Sequence, residues 1–67
     1  MAVMEFRVCR QGRQARWVVT VGKGIYGAYL DQQQALLDAV DAARDAIQRG
    51  GEAQVWLQDR GGASRIL

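Results

Sequence analysis

Residues 31–51 read DQQQALLDAVDAARDAIQRGG, and this stretch decides the fold. Leu36, Val40, Ala43 and Ile47 fall at offsets of 0, 4, 7 and 11, which stacks them on one face of an α-helix with Leu37 at its margin. Asp31 stands where an N-cap belongs, Gln34 follows three residues later as in a capping box, and Gly50-Gly51 supplies the stop. The pattern predicts one helix from Asp31 to Arg49. Burying its aliphatic stripe, at roughly 1.5–3 kcal/mol per side chain, would make that stripe the helical half of the core. Asp38, Asp41, Asp45 and Gln48 fall on the solvent side, and Asp45 with Arg49 forms an i,i+4 pair.

A second stripe runs along the flank of this helix: Ala35, Ala39, Ala42 and Ala46. The high helix propensity of alanine is its first explanation. Small side chains also allow close approach of another element, so the same four alanines form a candidate interface for a partner helix.

Outward from the helix the period changes to two. Met4, Phe6 and Val8 alternate with Glu5, Arg7 and Cys9, and Trp17, Val19 and Val21 alternate with Arg16, Val18 and Thr20. The Gln11-Gly12-Arg13-Gln14 turn between them predicts an antiparallel hairpin. Ile25 to Tyr29 is a shorter candidate strand, weakened by Gly27. After the helix, Ala53 to Gln58 alternates with Val55 and Leu57 inward and Gln54, Trp56 and Gln58 outward. Asp59-Arg60-Gly61-Gly62 signals a turn before a last short β segment, Ser64 to Leu67. The order β-β-(β)-α-β-β predicts an α+β, two-layer domain: a mainly antiparallel sheet with one helix packed on one face.

Several motifs in this order resemble a small bacterial family, domain of unknown function 2188. They are Trp17-Val18-Val19 after a short hairpin, Ala35 with Ala42-Ala43-Arg44 in the helix, Gly51-Glu52-Ala53-Gln54-Val55 leading into a strand, and the Asp59-Arg60-Gly61-Gly62 turn. The usual D-G-x-I ending of that family is stretched here to Arg60-Gly61-Gly62-Ala63-Ser64-Arg65-Ile66. The resemblance spans nearly the whole chain and implies a fold. It brings no catalytic residues, because the family has no assigned activity.

Sixty-seven residues make one domain. A core of this size supplies only roughly 3–5 kcal/mol, so small domains add disulfides, a metal or a partner subunit. Cys9 is the only cysteine and histidine is absent, so neither an internal disulfide nor a histidine-containing zinc set can form. A homodimer is the expected supplement, with no cofactor and no metal. No apolar run suits a signal peptide or a membrane-spanning helix, and a lone thiol fits a reducing compartment, so the expected location is cytoplasmic. Met4 offers an alternative start to Met1.

The net charge of +2 conceals an asymmetry. Arg7, Arg10, Arg13, Arg16 and Lys23 against Glu5 give the first 30 residues a net +4, whereas the remainder carries −2. A solvated surface is the plain reading. The sharper one makes these five cations, with Trp56, a nucleic-acid contact.

Gly22-Lys23-Gly24-Ile25-Tyr26-Gly27 spells G-x-G-x-x-G, but the dinucleotide pattern needs its last glycine at a helix start. The helix here begins four residues later, at an aspartate that would repel phosphates, so the segment reads as an inter-strand turn. Cys9 lacks an imidazole partner, and Asp38, Asp41 and Asp45 line a solvated face, so the chain is expected to be no enzyme. Trp56 is the most informative single residue. Together with Val18 it is assigned first to a self-association surface, then to the core, then to base stacking. An antitoxin-like partner protein is a further alternative, since some antitoxins share the strands-then-helix order.

Overall fold

A computed structural model describes residues 3–11, 16–59 and 61–67. It contains β1 (Met4–Gln11), β2 (Arg16–Val21), β3 (Gly24–Tyr29), α1 (Gln32–Gln48), β4 (Ala53–Asp59) and β5 (Gly62–Arg65). The strands form one mixed sheet in the order β3-β2-β1-β4-β5. Neighbouring strands are antiparallel except for β1 and β4, which pair in parallel because the helix carries the chain back across the sheet. The expected α+β architecture is present, and the short third strand forms despite Gly27. The Gly12–Gln14 part of the first turn lies outside the described residues.

Both ends of α1 follow the sequence signals. Asp31, in extended geometry, accepts a hydrogen bond from the Gln34 amide at 2.8 Å. At the other end Gly50 takes φ = 93°, and its amide bonds the Ile47 carbonyl at 3.0 Å while the Gly51 amide bonds that of Ala46 at 2.9 Å. This pair of bonds is a Schellman closure, and the left-handed backbone it requires selects glycine. Arg49 and Asp45 form the anticipated i,i+4 ion pair at 3.2 Å.

The face that α1 buries differs from the one its aliphatic spacing predicts. Ala35, Ala39 and Ala43 are fully buried, Leu36 and Val40 are half-buried at the margin, and Ile47 is 45 % exposed. The buried row is therefore centred roughly 70° around the helix from the expected stripe, with Ala43 common to both. The reason lies in the sheet. Its inner face presents Phe6, Val8, Val19 and Val55, all at 1 % exposure or less, and these bulky side chains fill the space between the layers. Small residues opposite large ones let the layers close at interior density, whereas Leu and Ile on both sides would hold them apart. Ala35 and Ala39 thus belong to the core of the chain itself, which corrects their assignment to a partner interface; Ala42 and Ala46 are half-buried beside them.

At its C-terminus the chain closes over the other end of the core. The Val55 amide donates to the Leu67 carbonyl at 3.2 Å, and Leu67 packs against the buried cluster. The Asp59 side chain accepts a hydrogen bond from the Gly61 amide at 2.9 Å, making the turn into β5.

The helix orientation makes a prediction opposite to that of the aliphatic pattern. Ala39→Leu should destabilise by about 1–3 kcal/mol through overpacking. Ile47→Ala should change stability by no more than about 0.5 kcal/mol, as expected for an exposed position. Urea unfolding of the two variants checks both.

Candidate functional site

The helix covers one face of the sheet, and the strand registers dictate what the other face carries. Phe6, Val8 and Arg10 of β1 point to the helix side, in register with Val21, Val19 and Trp17 of β2. Glu5, Arg7 and Cys9 therefore point outward. One outward row crosses all five strands: Ile25, Thr20, Arg7, Trp56 and Arg65. The next contains Ala28, Val18, Cys9, Gln58 and Ala63.

At the centre of the first row Trp56 is half-buried, and its indole N–H donates to Gln54 Oε1 at 3.0 Å. It stands between Arg7 on β1 and Arg65 on β5. With strands about 4.8 Å apart, the two arginine backbones lie roughly 10 Å from each other across the tryptophan. The Arg7 guanidinium reaches Glu5 at 3.7 Å, a loose and largely solvated ion pair. Arg65 Nε donates to the Leu67 carbonyl at 3.2 Å, which fixes its side chain near the C-terminus. Beside this row, at the start of β1, a depression of about 280 Å³ is lined by Val3, Met4, Glu5, Arg7 and Thr20, with the wall completed by β2 and the turn after it.

The expected set of cations is not gathered on this face. Arg7 and Arg16 lie on it by register, with Arg16 at the far end of β2. Arg10 is on the opposite face, its guanidinium 6.0 Å from the centre of the Trp17 ring in a cation–π contact. Lys23 is exposed in the turn between β2 and β3, and Arg13 lies outside the described residues. Arg65 is the member that sequence reading missed. The signal was its place opposite Trp56 in the last hairpin, which the stretched ending of the chain obscured. Val18, although outward, is nearly buried among its neighbours and offers little contact area.

Cys9 is half-buried on the outer face, flanked in register by Val18 and Gln58. Among the described residues no group of three or more Cys, Asp or Glu side chains is placed to hold a metal ion. No helix among them is long and apolar enough to cross a membrane.

One perturbed group lies on the helix side. The Tyr29 ring folds back along β3 so that a Cβ built on Gly27 would stand 2.6 Å from its hydroxyl, a close approach that only glycine permits. Burial, followed by the neighbouring Asp38 carboxylate and Tyr26, pushes the Tyr29 pKa up to about 12. The neutral phenol is thus the favoured form beside the acidic face of α1.

No family model, no curated protein and no solved structure matches the chain.

The raised Tyr29 pKa predicts an alkaline limit to stability. Because the folded-state pKa is raised from 10.0 to about 12, the contribution is complete below pH 10 and is lost as pH rises through 12. Tyr29→Phe should remove that part of the slope. Urea midpoints of both proteins, compared from about pH 9 upward, check the sign: the wild-type advantage must shrink as the phenol ionises.

Proposed function

We propose that this chain is a non-enzymatic interaction module that works as a homodimer. The observation that carries the reading is the distribution of apolar bulk. The buried cluster holds four large side chains, Phe6, Val8, Val19 and Val55, and the helix adds only alanines at its centre. Meanwhile Ile25, Tyr26, Leu30, Leu37, Ile47 and Ile66 remain largely exposed. A domain of 67 residues that leaves this much apolar surface in water gains by covering it with a second copy. The outward Trp56, of a residue type enriched at binding hot spots, supports the broader reading of an interaction module. The inventory of the site supports a non-catalytic role, since no described side chain combines a nucleophile with a base. The W-x-V strand and the Gly51-to-Val55 motif support placing the chain among the bacterial domains of unknown function named above. A lone cysteine suits a cytoplasmic location.

Sedimentation across the micromolar range tests the reading. A dimer mass and a thermal midpoint that rises with protein concentration are expected. A monomer at every concentration, with a constant midpoint, would overturn it; copurification of a small unrelated protein instead would favour the antitoxin-like role.

The Arg7–Trp56–Arg65 row favours one second reading, a site for single-stranded nucleic acid. A base stacked on the indole would have a guanidinium on either side for its phosphates, and stacking of this kind is worth about 1–3 kcal/mol per base. It predicts oligonucleotide affinity that declines steeply with salt and falls about 10-fold or more in Trp56→Ala. Fluorescence anisotropy with a mixed-sequence single strand at low ionic strength is the measurement, and undetectable or salt-independent binding removes the reading.

A further inference from the structure

The sheet has two edges, and they are defended unequally. β5 is four residues long and carries Arg65, the short charged edge that resists pairing with another chain. β3 is six residues long, Gly24-Ile25-Tyr26-Gly27-Ala28-Tyr29, and contains no charge and no proline. Among the described residues its only strand neighbour is β2, so on its other side the backbone has no described strand to pair with. Two of the most exposed large apolar residues described belong to this edge: Ile25 at 68 % and Leu30, just past its end, at 86 %.

We infer that β3 is the dimer interface: it pairs antiparallel with the β3 of a second copy about a two-fold axis, joining two five-stranded sheets into one of ten. This rests on the homodimer reading above and names its contact surface. The register irregularity opposite Val19/Thr20 sets Tyr26 apart from the regular ladder and turns it against the Phe6 ring, 5.7 Å away and edge-on at 86°. Gly27 to Tyr29 keep regular register with β2, so this is the stretch open to a second strand.

An axis near Ala28 makes the pairing self-complementary. It sets Ala28 against its own symmetry mate and Leu30 level with the partner's Tyr26 at each end of the new ladder. Lys23 precedes the strand and Asp31 follows it, so each copy directs its cation toward the acid of the other. A two-fold stacking of the outer faces lacks these features, because it would set Arg7, Arg16 and Arg65 of one copy against the same arginines of the other. Edge pairing instead keeps both helices on one side and leaves both Trp56 rows exposed on the other.

The test uses the full chain and three proteins: wild type, the double variant Ala28→Lys/Leu30→Lys, which sets like charges against each other on the axis, and Trp56→Ala. Sedimentation should find the wild type and Trp56→Ala dimeric, and the lysine variant monomeric or with a dissociation constant at least 10-fold higher. Both lysine positions are exposed, so circular dichroism should show the fold retained. Amide exchange of the wild type gives a readout free of mutation: protection at Gly27 to Tyr29 should increase with protein concentration. A wild-type dimer that persists in the lysine variant, or that Trp56→Ala dissolves, overturns the β3 interface while the homodimer reading stands. Exchange at Gly27 to Tyr29 that does not depend on concentration in a dimeric sample overturns the interface as well. A monomeric wild type removes both.

Discussion

The contact between the alanine row of α1 and the bulky inner face of the sheet is the constraint on which the rest of the molecule depends. Phe6, Val8, Val19 and Val55 supply nearly all the large buried volume, and Ala35, Ala39 and Ala43 let the helix settle onto them. The helix is held by close approach and capping, with little apolar area of its own to bury. Its larger residues, Leu37 and Ile47, are left in water as a direct result. The surplus of exposed apolar surface is therefore the consequence of how the two layers close.

The same constraint separates the two faces of the sheet. Leu67 and Tyr29 pack against the buried cluster on the helix side. The other face is free to be polar and cationic, with Trp56 held by Gln54 and flanked by two arginines. An antiparallel sheet tolerates one solvated face, and here even the parallel β1–β4 pair is open on that side. An uncharged edge at β3 and a basic outer face are thus separate surfaces, available to separate partners.

Most of the strands were legible from alternation alone, because each buries one face and exposes the other. The parity of β4, with Val55 and Leu57 inward and Trp56 outward, follows from adjacent residues in the chain. The caps of α1 were equally legible, since Asp31, Gln34, Gly50 and Gly51 act within one turn of the backbone. The helix orientation was not. Leu36, Val40 and Ile47 outweigh alanine on any scale of hydrophobicity, and nothing local reveals that the opposite layer is already full. The missing members of the outer row were hidden for a similar reason: Arg65 is nine residues from Trp56 in the chain but beside it in the sheet.

By itself, then, the sequence determined the element order, the strand parities, the helix ends and the electrical asymmetry, all of which arise from neighbours a few residues apart. Only the tertiary structure decided which helix face is core, which cations share a surface, and which edge of the sheet is left unguarded. Those outcomes depend on volumes and registers shared between distant segments. A residue's hydrophobicity cannot express whether the space it would enter is already occupied.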